Sequence, residues 1–433
     1  MKKETAEIIV ENDALTHLPR LLNLYFPRSD EVLFISDINT SQAAADRIMK
    51  VMKESRYTIV RPLILDGGTS VVQADENSIE TVQKVLSDHP EAVAVSVGSG
   101  TINDIVKVAA FEHSRRYICV ATAASVDGYT SFGASITSKG FKHTRQCMAP
   151  VAVVADIEIL RKAPYALTSA GWGDLIAKIP SCCDWILSNC VTGEVIDPSI
   201  WSLVETDLFR KAHDVDSITK QRSDAVASQF LHLANTGIAM QLSRSSRPAS
   251  GAEHLISHVW EMDHLSYQGV PVLHGHKVFL GSLISTALYE YLFSLEDIVV
   301  SNRYGTQKVF QDKVRTLTEM KPYSESVYEI AMSKYREAEQ LERCQKYLLS
   351  LLPQIKKQIE PRLIDFSVLR SLGKRGGLAV TLADLDIGRE QTFRAIVLAQ
   401  LLRNRYTILD YLSELGLLER AAERILSDSY YFG

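Results

Sequence analysis

Residues 92–107 read AVAVSVGSGTINDIVK, and the fold turns on how this stretch is parsed. An apolar run reaches Val97, Gly98-Ser99-Gly100 breaks it, and Thr101 onward has the composition of a helix start. A buried strand that meets a glycine turn and then a helix is the arrangement of a phosphate site in a doubly wound sheet. Glycines let the backbone come close to a pyrophosphate. The first N–H groups of the helix and its dipole then attract the anion. The spacing is GxG with Asp104 four residues later, not GxGxxG, and a strand-to-helix turn without a ligand has the same signature.

Upstream of this stretch, strand and helix signals alternate. Residues 5–11 (TAEIIVE) read as an edge strand and 14–24 as a helix with leucines at helical spacing. Residues 32–36 form a short buried strand that stops at Asp37, and 41–54 a helix capped by Thr40 or Ser41. Residues 58–65 lean toward strand until Asp66-Gly67-Gly68, and 78–86 are helical. Downstream, 117–121 is another buried strand, and 148–154 leads to Asp156. This order predicts an α/β domain with a doubly wound, mostly parallel sheet and ligands at the carboxyl ends of its strands.

Beyond about residue 160 the strand signals fade. Amphipathic runs at 175–188, 223–242, 276–292, 327–351 and 391–415 replace them, punctuated by Pro353, Pro361 and the glycines of 373–377. The expected organisation is a nucleotide-binding α/β domain over 1–158 and an all-α domain over 159–433, since 433 residues exceed one core.

The net charge of −5 gives no reason to expect a nucleic-acid partner. No apolar run reaches about 18 residues, so no membrane insertion is expected. The start, MKKETAEIIVEND, lacks the apolar core of a signal peptide. Six irregularly spaced cysteines without a CxxC read as reduced thiols of a cytoplasmic protein.

Four further features carry chemistry. Residues 123–131 (AASVDGYTS) follow a strand end directly and so lie on the ligand-binding rim. Gly171-Trp172-Gly173-Asp174 is read as the opening of the first long helix of the second domain. In GAEHLISH (251–258), His254 and His258 share a helix face. LHGH (273–276) adds His274 and His276, and with His264 five of the 11 histidines fall within 23 positions. A single histidine is usually structural. Imidazoles with a carboxylate are the ligands that Zn²⁺ and related ions take, and Asp174, His254 and His274 would leave a fourth position open.

Together, VGSGTINDIVK, ATAASVDGYTSFGASI, AGWGDLIAKIPSCCDW, SRPASGAEHLISH and LHG resemble the superfamily of glycerol dehydrogenases, iron-type alcohol dehydrogenases and dehydroquinate synthases. Within it they are most similar to the glycerol-1-phosphate dehydrogenase branch. The resemblance implies that the turn Gly98-Ser99-Gly100-Thr101 holds the cofactor pyrophosphate. Asp104 matches the acidic position after the glycines, and Asp37 the one that meets the adenosine ribose. Thr122, Ser125 and Ser131 match cofactor contacts, and Asp127 a contact to substrate hydroxyls. Asp174, His254 and His274 match the metal ligands. Iron-type alcohol dehydrogenases carry a further His four residues after the Asp. Here that residue is Lys178, which favours a three-ligand site. His276 stands where the family often has Glu.

The activity implied is metal-assisted reduction of dihydroxyacetone phosphate to sn-glycerol 1-phosphate by NAD(P)H. NADH is expected to be favoured, because the Asp37 carboxylate would repel a 2′-phosphate. The metal is one divalent ion, with Zn²⁺, Ni²⁺ and Fe²⁺ all open. His258 and His276 are candidate proton carriers. Lys139, Lys142, His143, Arg145 and Lys178 are candidate partners of a substrate phosphate, against the alternative of a solvated basic loop. A homo-oligomer, dimer or higher, is expected. The competing readings are glycerol dehydrogenase, which needs no phosphate site, a sugar-phosphate cyclase, and a non-enzymatic binding protein with a relic site. The cyclase typically has Glu where this chain has Asp174.

Overall fold

Seven parallel strands form the sheet that the alternation predicts. The computed structural model describes residues 3–67, 71–138, 141–301, 305–318 and 324–433. The strands are β1 (Glu7–Glu11), β2 (Glu31–Asp37), β3 (Thr58–Ile59), β4 (Leu63–Leu65), β5 (Val93–Gly98) and β6 (Tyr117–Ala121). After a hairpin of β7 (Gly133–Ser138) and β8 (Phe141–Gln146), β9 (Ala152–Asp156) completes the set. The order is β1-β9-β6-β5-β2-β3, with β4 also paired to β2. β1 is indeed an edge strand, paired among the described residues to β9 alone.

The period of two along β5 shows why both faces are covered. Val93, Val95 and Val97 join Val32, Phe34, Ile118 and Val120 under helices Leu18–Tyr25 and Ile38–Met52. Ala94 points the other way, with Leu33, Ile35, Cys119 and Ala121, under helices Glu76–Asp88 and Gly100–Glu112. A strand buried on both faces is apolar on both, apart here from the buried Ser96, which is why its sequence does not alternate. Each fully buried valine or isoleucine contributes about 1.5–3 kcal/mol.

Several expectations are corrected. The strand expected over 58–65 is two short strands, because Pro62 has no N–H to continue the ladder. The β7–β8 hairpin has no counterpart in the sequence reading. Gly171–Asp174 do not open a helix: they lie in the last turns of helix Tyr165–Ile176, and a new helix, Lys178–Thr192, follows. The run at 327–351 is two helices, Ser324–Lys334 and Ala338–Ile359, and Pro353 sits inside the second. The run at 391–415 is likewise Arg389–Ala399 and Ile408–Glu414, parted by 400–407.

By contacts the chain divides into Met1–Leu175 with Asp214–Ser245, and Ile176–His213 with Ser246–Gly433. The first unit thus reclaims helix Ser223–Ser243, which packs on the segment Gly128–Thr130 and on β1. The second unit is helical except for β10 (Ser266–Tyr267) and β11 (Val270–Pro271), a two-residue antiparallel pair. Among the described residues no helix is long and apolar enough to cross a membrane.

Candidate active site

In the first unit the chain leaves β2 toward one edge of the sheet and leaves β5 toward the other. Their carboxyl ends, at Asp37 and Gly98, therefore flank the switch point where open α/β sheets bind ligands. Ser99 is the N-cap of helix Gly100–Glu112, and its side chain makes no cap bond. Asn103 N–H is the first to bond within the helix, to Ser99 O at 3.1 Å. The N–H groups of Gly100, Thr101 and Ile102 have no intrahelical partner and suit an anion. Gly100 also answers to the protein itself: a Cβ there would stand 2.8 Å from Val126 Cγ2.

The other cofactor candidates divide into two groups. Thr122 N–H extends the ladder to Gly98 O at 3.1 Å, and Thr122 and Ser125 are buried beside the turn's strand end. Asp37 caps helix Ile38–Met52. Its Oδ1 accepts from Thr40 N–H (2.7 Å) and Thr40 Oγ1 (2.9 Å), and Thr40 Oγ1 accepts from Asp37 N–H (3.0 Å). Oδ2 takes part in none of these bonds. Asp104 and Ser131 are committed to the scaffold. Asp104 Oδ2 accepts from Ser135 N–H (3.0 Å), and Ser131 Oγ donates to Gly133 O (2.7 Å).

Lys107, which the sequence reading gave no role, joins these groups. It is fully buried, and Nζ donates to Gly128 O (2.8 Å), Gly133 O (3.0 Å) and Ser131 Oγ (3.2 Å), with Asp104 Oδ1 at 3.4 Å. The segment after Asp127 is therefore pinned from below by a buried cation. Its signal lay in the motif: Asp104 and Lys107 are three apart on one helix face. Asp127 N–H in turn donates to Asp174 Oδ2 at 3.0 Å and fixes that carboxylate. Asp174 is fully buried. It sits at the C-terminal end of its helix, so the dipole does not favour its charge there.

In the second unit, helix Ala252–Met262 carries His254 and His258, and helix His274–Ser294 begins at His274. The two helices pack tightly, and at Gly281 a Cβ would fall 2.4 Å from Glu253 O. The His254 and His274 rings lie 5.4 Å apart, and His254 and His258 6.3 Å. Each of the first two is oriented by a carboxylate. His254 Nδ1 donates to Glu253 Oε1 (2.8 Å), and His274 Nδ1 donates to Glu261 Oε1 (2.9 Å). A proton on Nδ1 leaves the lone pair on Nε2, the state in which histidine binds a metal. Asp174, His254 and His274 each offer one ligand atom, and these atoms lie within 4.8 Å of one another. Two imidazoles and one carboxylate fit a divalent ion with a fourth position for substrate.

The start of helix 252–262 is held by a second buried acid. Asp184 accepts from Ala252 N–H (2.7 Å), Ile408 N–H (2.8 Å) and Tyr289 OH (2.7 Å). Burial, with the nearby Glu253 charge, pushes its carboxyl up to about 7. Burial holds His258 well below the usual imidazole range and lowers His276 as well. Neither Glu253, Glu261 nor Asp184 was singled out from sequence. Glu253 was visible as the residue before His254.

The phosphate candidates fare differently. Lys178 is fully buried, and Nζ donates to Ala249 O (3.1 Å). Arg145 is paired to Glu76 (3.1 Å) and Glu112 (2.6 Å), so its charge is already met. Lys139 lies outside the described residues, as do the side chains of Lys142 and His143.

A doubly wound sheet with an anion-ready turn at its switch point, and an Asp-His-His set with oriented imidazoles, define the class of metal-assisted, nicotinamide-linked alcohol dehydrogenases. The pattern of the iron-containing alcohol dehydrogenase family matches residues 9–164. A glycerol-1-phosphate dehydrogenase (NAD(P)⁺) of Bacillus licheniformis is 31% identical over 386 residues, 89% of this chain and 83% of that one. One from Halalkalibacterium halodurans is 32% identical over 288 residues, 66% of this chain and 71% of that one. The crystal structure of glycerol dehydrogenase from Schizosaccharomyces pombe superposes with a TM-score of 0.60. It covers 100% of this chain and 93% of that one, at 16% identity, a likeness of fold. The chain belongs to the glycerol-1-phosphate dehydrogenase family of the iron-containing alcohol dehydrogenases, and it is an NAD(P)-linked oxidoreductase.

Proposed function

We propose that the protein reduces dihydroxyacetone phosphate to sn-glycerol 1-phosphate, reversibly, with NADH preferred over NADPH. The observation that carries this reading is the convergence of one donor atom each from Asp174, His254 and His274. These three residues would hold the metal. A divalent ion bound there supplies Lewis acidity toward the substrate carbonyl oxygen, and the nicotinamide supplies the hydride. The chain does the rest. Glu253 and Glu261 keep the two imidazoles in one tautomer and orientation. The Asp127 backbone holds the Asp174 carboxylate, while its own side chain meets a substrate hydroxyl. His258 and His276 carry the proton that the substrate oxygen takes up. Residues 1–158 serve the nucleotide, with Asp127 reaching the substrate, and 159–433 the metal and the phosphorylated ketone. The protein acts as a homo-oligomer in the cytoplasm, where its six unpaired cysteines stay reduced.

The test is steady-state oxidation of NADH with dihydroxyacetone phosphate and with dihydroxyacetone. The expected result is a kcat/KM well above that of the unphosphorylated ketone, because charge-assisted phosphate contacts are strong. The product should be inert to an sn-glycerol-3-phosphate dehydrogenase. Equal kcat/KM for the two ketones points to glycerol dehydrogenase, and absence of net NADH consumption to a cyclase.

A further inference from the structure

Arg145 and Lys178 are engaged elsewhere, so a partner for a substrate phosphate is sought among the other described cations near the metal-ligating histidines. Arg403 lies in the segment 400–407, between helices Arg389–Ala399 and Ile408–Glu414. Helix 389–399 packs against helix 252–262. Two hydrogen bonds fix the direction of that packing. Arg394 Nη1 donates to Asp263 Oδ2 (2.8 Å), just past the C-terminal end of helix 252–262. Arg405 Nη1 donates to Ser250 O and Oγ (both 2.7 Å), just before its N-terminus. The chain therefore runs antiparallel to the helix of His254 and His258, and Arg403 passes beside its first turns.

The neighbouring arginines are engaged. Arg247 is paired to Glu194 (2.8 Å), and Arg405 donates also to Ser246 Oγ (2.6 Å). Arg403 makes no hydrogen bond and no ion pair among the described residues. Its side chain reaches solvent, yet the surrounding protein removes enough water to lower its pKa. A partly desolvated cation with no counter-charge is unfavourable until an anion arrives.

We propose that Arg403 recognises the phosphate of the substrate. The proposal rests on the reading of the protein as a phosphoketone reductase given above. In dihydroxyacetone phosphate the phosphate hangs from the carbon next to the carbonyl, so its partner must lie close to the metal-ligating histidines. A guanidinium fits two phosphate oxygens at once, as an ammonium does not. The link anchored by Arg405 on Ser246 and Ser250 holds Arg403 in place, and Arg403 is the free end of that anchored loop.

The experiment compares wild type with Arg403→Gln and Arg403→Lys on both ketones. In Arg403→Gln the ratio of kcat/KM for dihydroxyacetone phosphate to that for dihydroxyacetone should fall about 30-fold or more, as expected for a lost charge pair. Calorimetric titration with sn-glycerol 1-phosphate should weaken by a similar factor, while metal content and NADH affinity stay at wild-type levels. Arg403→Lys, which keeps a point charge, should recover part of the ratio. A wild-type ratio in Arg403→Gln, or an equal loss on both ketones, overturns the assignment and leaves the function intact. A wild-type protein without preference for the phosphorylated ketone overturns the function, and the assignment with it.

Discussion

The glycine turn at Gly98–Gly100 and the histidine helices at 252–262 and 274–294 prepare their ligand sites by opposite means. The turn works through backbone: unbonded N–H groups, a helix dipole and residues small enough to clear Val126. The histidine helices work through buried side chains, each imidazole held by a carboxylate that is itself out of water. The first kind of site depends on backbone conformation and on the room around it rather than on any one side chain. The second is electrostatic, and removing one partner strands another in a buried place.

This contrast orders the expected effects. The largest belongs to the ligands. His254→Ala or His274→Ala should abolish tight metal binding and leave activity near background, with NADH still bound. Wild-type metal stoichiometry in both variants, by elemental analysis, would erase the distinction between the two sites. Next come the orienting acids. Glu253→Gln or Glu261→Gln should weaken metal affinity about 10–100-fold in chelator competition, the cost typical of a lost partner behind a ligating histidine. Unchanged affinity in both would mean that the imidazoles need no carboxylate.

A smaller effect is expected at the turn. Gly100→Ala must displace Val126, at about 1–3 kcal/mol of stability for an overpacked core position. Denaturant unfolding and NADH titration should both register it, while metal content does not change. The smallest effect concerns Asp37, which has two possible duties. Asp37→Ala should lose about 1 kcal/mol with the helix cap and also relax the preference for NADH. Asp37→Ser keeps a cap and removes the charge, so it should change cofactor preference with little loss of stability. If wild type uses NADPH as efficiently as NADH, Asp37 is a cap alone.

What the sequence made legible follows the same line. The sheet, its edge strand, the glycine turn and the three metal-site candidates were readable, because each is encoded by local period, turn residues or a helix spacing. Asp174 was read as a ligand candidate from its type beside the histidines, but its place in the helix was misread. The break at Ala177 is marked only indirectly, by Pro180 in the first turn of the helix that follows. The return of helix 223–243 to the sheet-bearing unit is a long-range event that composition does not display. Glu261 and Asp184 were illegible as well. Their meaning depends on partners 13 and 68 residues away: Glu261 on His274, Asp184 on the start of helix 252–262. Lys178 and Arg145 show the converse, since a cation near a motif is not a ligand partner once burial or two glutamates have claimed it.

The most direct test of the metal-centred reading is metal dependence measured on one preparation. The protein is stripped with a chelator, dialysed, assayed for NADH oxidation with dihydroxyacetone phosphate, then reloaded with Zn²⁺, Ni²⁺ or Fe²⁺ and assayed again. Turnover should be lost on stripping and return on binding one ion per chain, with no return in His254→Ala. Full turnover by the stripped protein, with no metal detectable, would contradict the metal-centred reading.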